Sequence, residues 1–320
     1  MTERVDVKTG YYCNNWCRFC VQAQNRKYGN RTTQEIKDSL AEAKKGGVTG
    51  VVFTGGEFTI RKDALTLIKY AKSIGYNDVM LQSNGRMFSN KDYVKKLISA
   101  GANQFSPAIH GSCAEIHDYL TRAPGAWNQA VRGIRLLRSL DQNVIINCVV
   151  VKANMRDLPN IAKLLVSLDV NQFQFAFVHI MGNAFENKES IVPIASTTSL
   201  YMKKGLIIGI NAKKRVMVEA MPYCLMKGYE RYVTELYIPE TMVREKDFWI
   251  KDFEKVRRTE GKTLFSQCKE CRFRLICEGP WREYPELMGK DEFKPVPGEV
   301  IKNKKEILDN YEDFPVVPTV

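Results

Sequence analysis

The chain has 320 residues, of which 44% are hydrophobic and 26% are charged, and its formal net charge is +12. This composition is ordinary for a globular protein with a substantial core, and the length predicts one large domain or one large and one small domain. No apolar run approaches the roughly 18 residues that a membrane span needs, and the charged N-terminus lacks the apolar stretch of a signal peptide. We therefore expect a soluble, cytoplasmic protein without a membrane partner.

Short β-branched runs alternate with amphipathic stretches through the first 180 residues. The candidate strands lie at 5–12, 50–53, 78–82, 104–109, 144–151 and 172–178. The candidate helices lie at 32–45, 62–74, 91–100, 126–140, 154–168 and 198–205. Repetition of strand and helix predicts right-handed crossovers and a parallel sheet. Six such units are fewer than the eight of a complete barrel, so we predict an α/β fold built on a partial (βα)6 TIM barrel.

The regular alternation ends near residue 180, and from about residue 216 the chain is irregular and rich in aromatic residues and cysteine. We predict three parts: a barrel at 1–215, a small cysteine-rich module at 216–297, and a C-terminal tail at 298–320. The tail is expected to hold one short charged helix, followed by Pro315 and Pro318.

The chain contains nine cysteines, an odd number for complete disulfide pairing in a long chain without an export signal. Six of them form two tight groups near the two ends, which favours metal ligation in a reducing compartment. Cys113 and Cys148 stand alone and are predicted to be small buried apolar residues. The Lys and Arg residues are dispersed, which predicts solvated helix faces and does not favour a nucleic-acid partner.

The N-terminal group, Cys13-x3-Cys17-x2-Cys20, follows the first predicted strand directly. Three thiolates on one loop can hold three irons of a 4Fe–4S cluster and leave the fourth iron open for chemistry. A structural zinc ion would need a fourth Cys or His nearby, and the nearest histidine in the chain is His110. The spacing therefore favours an iron–sulfur cluster over zinc.

This cysteine triplet, with the aromatic Phe19 before its last member, resembles the signature of the radical S-adenosylmethionine (SAM) superfamily. Thr54-Gly55-Gly56-Glu57, at the end of the second strand, resembles the Gly-Gly-Glu motif of that family. Two glycines let the backbone approach a ligand, and a carboxylate can accept hydrogen bonds from an ammonium group. The resemblance implies that SAM binds the open iron, with Gly55, Gly56 and Glu57 holding its amine and Phe19 beside its adenine.

Further matches extend the resemblance over roughly residues 5–180. Ser83-Asn84-Gly85 is similar to a turn of related enzymes, which implies that Asn84 lies in the SAM site. Arg122, after His117-Asp118, is expected to reach the SAM carboxylate because guanidinium groups bind carboxylates in a bidentate manner. His110 occupies a strand end where relatives often carry Asp. It is either a catalytic residue near the substrate or a satisfied polar residue.

The C-terminal group is Cys268-x2-Cys271-x5-Cys277, and Cys224 is the expected fourth member. Four thiolates suit either one complete 4Fe–4S cluster or a zinc site. The spacing resembles the auxiliary-cluster modules called SPASM and twitch, which favours iron–sulfur. Trp281 stands where the fourth cysteine of the SPASM core is expected, so the resemblance implies a twitch-like module with one cluster. Cys224 is expected to be a ligand; if free, it is a candidate catalytic hydrogen-atom donor.

The resemblance implies an enzyme that cleaves SAM reductively to a 5′-deoxyadenosyl radical, which abstracts a hydrogen atom from the substrate. A low-potential donor such as ferredoxin or flavodoxin is the expected electron source. Enzymes with such modules often modify ribosomally made peptides, so we rank a peptide of this kind first as the substrate. A small molecule, such as a porphyrin, a nucleotide or another cofactor precursor, ranks second. A non-catalytic protein that binds an iron–sulfur cluster or zinc is the alternative outside the enzymes.

Overall fold

The computed structural model describes residues 2–310, and within them nine strands form one sheet. In chain order the strands are β1 (Arg4–Lys8), β2 (Gly50–Thr54), β3 (Asp78–Ser83), β4 (Gln104–Pro107), β5 (Asn143–Val150), β6 (Gln172–Phe177), β7 (Arg215–Glu219), β8 (Thr241–Arg244) and β9 (Trp249–Ile250). Their spatial order is β7-β6-β5-β4-β3-β2-β1-β8-β9. Each strand from β1 to β7 pairs in parallel with the next, as crossover connections through helices dictate.

The predicted partial barrel is confirmed, because the parallel strands form an unclosed sheet with helices in the connections. It contains one more parallel strand than the six of the sequence pattern. That strand, β7, begins at residue 215, where the barrel is predicted to end, because its short apolar core adjoins an irregular stretch and gives no clear strand pattern in the sequence. The strand β8 adds in parallel to the other side of β1, so the C-terminal module shares the barrel's sheet.

Twelve α-helices are present within the described residues. They are α1 (Thr33–Lys45), α2 (Ala64–Ser73), α3 (Lys91–Ala100), α4 (Ala114–Thr121), α5 (Ala126–Ser139), α6 (Leu158–Ser167), α7 (Asn183–Glu186), α8 (Lys188–Ile191), α9 (Ala195–Asn211), α10 (Phe253–Val256), α11 (Tyr284–Met288) and α12 (Lys304–Asp309). Helix α3 has the predicted bounds because Asn90 caps its first turn and Gly101 ends it in a left-handed conformation. Helix α4 was not predicted. Its eight residues are too few for a clear apolar period.

The core lies between the sheet and the barrel helices. Alternate strand residues such as Phe173 and Phe175 are fully buried, and glycines of α9 let these rings approach: a Cβ on Gly205 would lie 2.6 Å from the Phe175 ring. The opposite, inner face carries polar residues. Among them the Gln174 amide donates to Asn147 at 3.2 Å and to Glu219 at 2.9 Å. The barrel interior is therefore lined by hydrogen-bonding groups.

The predicted tail falls partly outside the described residues. Helix α12 is the expected short charged helix, whereas Pro315 and Pro318 lie beyond residue 310. The division into 1–215, 216–297 and 298–320 stays a prediction. Within residues 2–310, no helix is both long and apolar enough to cross a membrane.

Candidate active site

The three N-terminal cysteines lie together on the loop between β1 and α1. Each is half-buried, and all nine cysteines of the chain have free thiols. Burial, followed by the neighbouring thiols of Cys20 and Cys13, raises the pKa of Cys17. The Asn15 N–H donates to the Cys13 sulfur at 3.4 Å. The three thiols are thus grouped, as their spacing predicted, and they offer a set of soft donors suited to iron–sulfur ligation.

The two glycines after β2 hold the cysteine loop through its backbone. The Gly56 N–H donates to the Gly10 carbonyl at 2.7 Å, and the Glu57 N–H donates to the Tyr12 carbonyl at 2.8 Å. A Cβ on Gly55 would lie 2.4 Å from the Gly10 oxygen, and a Cβ on Gly56 would lie 2.2 Å from the Tyr12 oxygen. The glycines therefore permit a close approach between two backbone segments. The sequence predicts a close approach of the same glycines to SAM, and that contact stays a prediction.

The Glu57 carboxylate is buried and already surrounded by donors. One oxygen accepts from the Thr59 N–H at 3.0 Å, the Thr59 hydroxyl at 2.5 Å and the Ser83 hydroxyl at 2.8 Å, and the other accepts from the Asn84 N–H at 2.7 Å. Burial raises its pKa, and these donors oppose the rise. Glu57 thus joins the turns that follow β2 and β3. Its contact with the SAM amine stays a prediction.

Asn84 lies beside the cysteine loop, as expected of a site residue. Its side-chain amide donates to the Asn14 side chain at 2.6 Å and lies 3.8 Å from the Cys13 sulfur. Its side-chain oxygen accepts from the Arg86 N–H at 3.0 Å. The turn after β3 therefore reaches the first cysteine directly, and the predicted role of Asn84 toward SAM remains untested.

Sequence reasoning missed Arg86, which follows the same turn. Its guanidinium donates to the Asn14 carbonyl, to the Asn15 side chain at 3.1 Å and to the Gln129 side chain at 2.6 Å. Through these hydrogen bonds Arg86 connects the cysteine loop to the first turn of α5. The only available signal was its position directly after Ser83-Asn84-Gly85.

Phe19 and His110 are both buried and in edge-to-face contact, with ring centres 4.8 Å apart. Nδ1 of His110 accepts from the Val149 N–H at 3.2 Å, and Nδ1 of His117 accepts from the His110 N–H at 3.1 Å. Burial lowers the pKa of His110 well below its usual value and lowers that of His117 to about 4. Both rings are therefore neutral. The bond to Val149 matches the reading of His110 as a satisfied strand-end residue, and its catalytic role stays a prediction.

Arg122 ends α4 in a left-handed conformation (φ 51°), and it is exposed. The last turn of α4 contacts the cysteine loop, where the Trp16 N–H donates to the Thr121 carbonyl and the Arg18 N–H donates to the Leu120 carbonyl, each at 2.9 Å. Arg122 directly follows Thr121, whose carbonyl accepts from the cysteine loop, so the backbone of Arg122 lies close to that loop. Its contact with the SAM carboxylate stays a prediction.

The C-terminal cysteines and Cys224 line one cavity. Most of its remaining lining is apolar and comes from Pro222, Leu264, Phe265, Phe273 and Phe293. Burial, and then the thiols of Cys277, Cys271 and Cys268, raises the pKa of Cys224. Backbone N–H groups of Gly279 and Val296 donate to the sulfurs of Cys277 and Cys271, each at 3.4 Å. The structure thus brings all four thiols together.

The donor set suits a cluster, which four thiolates complete. Within residues 2–310, no three His, Cys, Asp or Glu side chains are placed to hold a single metal ion. Gly279 is needed for the shape of this site: its φ is +79°, and a Cβ there would lie 1.8 Å from the Thr263 carbonyl.

A buried ionic network lies against the cysteine cavity, and sequence reasoning missed it. Lys262 contacts Glu235 at 2.5 Å and Glu278 at 3.2 Å, and Arg257 donates twice to Glu278 at 2.7 Å. Glu278 directly follows Cys277, and Lys262 acts to lower the pKa of that thiol, which burial raises overall. These residues are scattered along the chain without a motif, so only the fold reveals that they meet.

Trp281, at the position where the SPASM resemblance implies a fourth cysteine, packs against the end of β6. Its ring stacks on His179, just after β6, with 3.7 Å between ring centres, and its N–H donates to the Phe177 carbonyl at 3.3 Å. Burial lowers the pKa of His179 to about 4. This position therefore serves packing.

Comparison with known proteins identifies the family. The family model of the radical SAM superfamily matches residues 7–165. The AdoMet-dependent heme synthase of Oleidesulfovibrio alaskensis is 34% identical, over 83% of this chain and 79% of the relative. The chain belongs to the radical SAM superfamily. Membership of this family implies a 4Fe–4S cluster and SAM as cofactors. The relatives are named as enzymes, and this protein is an enzyme as well.

One further relative and one solved structure can be compared with this radical SAM enzyme. The PqqA peptide cyclase of Rhodopseudomonas palustris is 28% identical, but over 57% of this chain and 48% of the relative. SuiB of Streptococcus suis, solved with its precursor peptide SuiA, has a similar fold: the TM-score is 0.63 at 14% identity, covering 92% of this chain and 75% of SuiB. SuiB has also been solved with S-adenosylmethionine bound.

Proposed function

We propose that this radical SAM enzyme acts on a tetrapyrrole precursor of heme. The supporting observation is how far the similarity extends. Similarity to the heme synthase covers 83% of the chain. Residues 1–215 and 298–320 together make up a smaller share of the chain, so the similarity must extend into the predicted C-terminal module. Similarity to the peptide cyclase covers 57%. A barrel is shared by enzymes with many substrates, so similarity beyond it carries more information about the substrate.

The proposed site for the SAM cluster is the loop of Cys13, Cys17 and Cys20. With SAM bound, the cluster supplies reductive cleavage of the sulfonium and a 5′-deoxyadenosyl radical. The protein's part is to position and shield these groups. Asn84 and the Gly-Gly turn hold the loop, Phe19 offers a buried aromatic edge for the adenine, and Arg122 offers a guanidinium for the SAM carboxylate.

The proposed auxiliary cluster is held by Cys224, Cys268, Cys271 and Cys277. The apolar lining of their cavity keeps water away from the sulfurs, and two backbone N–H groups stabilise thiolate charge. With four thiolates the cluster is complete, which favours electron transfer or a structural role over direct substrate binding. A low-potential donor, ferredoxin or flavodoxin, supplies the electron in a reducing cytoplasm, where cysteines stay free of disulfides.

A heme precursor bears several carboxylates, and two features suit such a substrate. The net charge of +12 favours approach of a polyanion. The inner face of the barrel offers the Asn147 side chain, whose oxygen accepts from Gln174 and whose amide N–H groups can donate to carboxylate oxygens.

The test is anaerobic turnover of the reconstituted enzyme with dithionite, SAM and an iron porphyrin that carries four propionate side chains. We expect formation of 5′-deoxyadenosine to depend on the porphyrin, and the porphyrin to lose mass in step with it. Porphyrin-independent formation with unchanged porphyrin would contradict the proposed substrate while leaving the radical SAM chemistry intact.

Modification of a ribosomally made peptide is the second candidate. It is favoured by the fold similarity to SuiB, which has been solved with a precursor peptide. At 14% identity this likeness concerns the fold alone. A short peptide encoded beside the gene, added in place of the porphyrin, separates the two candidates in the same assay.

A further inference from the structure

His179 lies at the edge of the sheet where barrel enzymes carry out their chemistry. It follows β6 at its carboxyl end, and the cysteine loop follows β1 at the same edge, because these strands belong to one parallel sheet. Further along the segment, the Asn183 N–H donates to the Cys20 carbonyl at 2.9 Å, and the Asn183 side chain donates to the Cys17 carbonyl at 2.8 Å. A Cβ on Gly182 would lie 2.4 Å from the same Cys20 oxygen. The segment that begins at His179 therefore borders the proposed site of the SAM cluster.

The His179 ring is held in one orientation by Trp281. The two rings stack with their centres 3.7 Å apart and their planes 8° apart. Trp281 is itself fixed, because it is buried and its N–H donates to the Phe177 carbonyl at 3.3 Å. A side chain that is already ordered loses little further freedom when it binds a ligand. The imidazole is therefore preorganised for contact with a group at the carboxyl edge of the sheet.

The two ring nitrogens of His179 have different surroundings. Nε2 is buried without a hydrogen bond and lies 3.9 Å from Oε2 of Glu283, which is too long for a hydrogen bond. The side chain is nevertheless 27% exposed, and Nδ1 is not among the buried polar atoms within residues 2–310. The edge of the ring that carries Nδ1 is therefore open to a ligand, whereas the Nε2 edge faces a carboxylate.

The His179 ring is neutral and has a lone pair to offer. Burial, and then the positive charge of Lys262, lowers the pKa of His179 to about 4. A neutral imidazole has one N–H and one lone pair. We assign the proton to Nε2, because that nitrogen faces the Glu283 carboxylate, and this leaves the lone pair on Nδ1. A histidine that binds a metal almost always directs its second nitrogen at a carboxylate, a carbonyl or water in the same way.

The other two histidines of the chain use their lone pairs inside the protein. Nδ1 of His110 accepts from the Val149 N–H, and Nδ1 of His117 accepts from the His110 N–H. Burial lowers the pKa of both rings and keeps them neutral, so the second nitrogen of each carries the proton. All three histidines lie within residues 2–310. Among them, His179 alone has an imidazole lone pair available to a metal.

We propose that Nδ1 of His179 binds the central iron of the tetrapyrrole substrate. The inference rests on the proposed function and deepens it, because it makes the metal a determinant of substrate choice. The lone pair forms one bond to the iron and takes the place of a water ligand; no electron is transferred and no proton moves. This bond holds the macrocycle at the carboxyl edge of the sheet, beside the cysteine loop, within reach of a 5′-deoxyadenosyl radical.

The test uses the reconstituted enzyme and the ferrous form of the iron porphyrin with four propionate side chains, bound without SAM. Resonance Raman excitation in the porphyrin absorption band detects the iron–histidine stretching vibration, which requires an imidazole ligand. The variant is His179→Ala, and the matched control is His117→Asn, which changes a histidine whose Nδ1 is occupied. We expect the band in the wild type and the control and its loss in His179→Ala. Imidazole added to that variant should restore the band by binding the iron in the space that the ring has left.

Affinity separates iron ligation from a structural role. The iron porphyrin and the metal-free porphyrin with the same side chains are each titrated into the three proteins. We expect His179→Ala to bind the iron porphyrin about tenfold more weakly, because one bond is lost while other contacts remain, and to bind the metal-free porphyrin as the wild type does. If His179→Ala loses its iron–sulfur content, it is replaced by His179→Phe, which keeps a ring on Trp281 without a nitrogen. Glu283→Gln should lower the frequency of the band, because the imidazole loses its carboxylate partner.

A band that persists in His179→Ala would overturn the proposal, as would equal losses of affinity for the two porphyrins. If the wild type binds and converts the iron porphyrin without showing the band, the inference is wrong and the proposed function stands. If the wild type binds neither porphyrin and instead forms 5′-deoxyadenosine with a peptide, both the inference and the proposed function are wrong.

Discussion

The two cysteine sites are built in opposite ways. The N-terminal thiols lie on one loop, and amide and backbone hydrogen bonds from the turns after β2 and β3 hold that loop. The C-terminal thiols come from separate segments, the first at Cys224 and the last at Cys277, and they meet in a cavity of apolar side chains. Behind that cavity lie buried charges instead of amides.

The N-terminal site therefore depends on the conformation of one loop, whereas the C-terminal site depends on the fold of the whole region around it. The N-terminal group keeps its spacing whatever the distant chain does, so a change there should affect ligation and activity before it affects stability. The C-terminal group exists only while the whole module is folded, so a change in its buried network should affect stability first. Four predictions test this contrast.

The largest expected effect is loss of SAM cleavage when Cys13, Cys17 and Cys20 are all replaced by Ala. Without thiolates on the loop, no cluster can form there. We expect no detectable 5′-deoxyadenosine, and a loss of about four irons per chain, since one 4Fe–4S cluster disappears. Iron and sulfide analysis together with the anaerobic assay measures both.

The control for this triple variant is Cys113→Ala, which removes a lone thiol on the same side of the barrel. It should keep the iron and the activity of the wild type. Retained SAM cleavage in the triple variant would refute the assignment of the N-terminal site, and loss of all iron would refute the independence of the two sites.

The second prediction concerns Lys262→Met, which leaves the buried carboxylates of Glu235 and Glu278 with less positive charge. The Lys262 side chain is 2% exposed. Removing one partner of a buried ion pair typically costs about 3–5 kcal/mol of unfolding free energy. Lys214→Met is the matched control, because Lys214 pairs with Asp169, which is 66% exposed, and such pairs contribute less than about 1 kcal/mol. Urea unfolding compares the two; similar losses would show that the network is not important to the module.

The same contrast explains what the sequence could predict. Cys13, Cys17 and Cys20 lie within one loop, and Gly55-Gly56-Glu57 follows a strand of clear apolar pattern, so spacing alone indicated their grouping. Helix α3 was predicted with its observed bounds because both its caps are local signals. The strand β7 was missed because its apolar core is short and adjoins the irregular region.

The buried network could not be predicted for a different reason. Lys262, Glu235 and Glu278 are separated in sequence, and charged residues in an irregular segment normally indicate solvent exposure. Nothing local distinguishes them from surface residues. Arg26 was missed in the same way, because its contacts with the Trp16 ring and the Asn15 carbonyl depend on how the loop returns on itself.

The third prediction tests the local support of the N-terminal site. In Gly56→Ala the new Cβ would lie 2.2 Å from the Tyr12 carbonyl oxygen, so the cysteine loop must move. Overpacking of this kind typically costs about 1–3 kcal/mol. We expect that loss in urea unfolding, together with less iron at the N-terminal site after reconstitution. Gly50→Ala, at the start of the strand β2 that precedes Gly56, is the control, because the nearest atom to its new Cβ would be 3.5 Å away. Normal iron content in Gly56→Ala would show that the close backbone contact is dispensable.

The smallest expected effect is a pH dependence of stability from the buried histidines, one in each region. Burial lowers the pKa of His117, near the N-terminal site, and of His179, beside Trp281, to about 4. In the unfolded chain a histidine has a pKa of about 6.5, so it binds a proton as the pH falls from 8 to 6 while the folded ring stays neutral. Stability is therefore full above the unfolded pKa and falls with acid, by about 0.8 kcal/mol per histidine at pH 6.

The variants His117→Asn and His179→Asn should each flatten the pH dependence of the unfolding free energy by about that amount between pH 8 and pH 6. Asn keeps an acceptor for the His110 N–H that His117 now binds, so the backbone contact survives the change. If only His179→Asn flattens the profile, the N-terminal site already admits water and protons to His117, and the contrast between a hydrogen-bonded loop and a sealed module becomes sharper. An unchanged profile in both variants would mean that neither ring is kept neutral by burial.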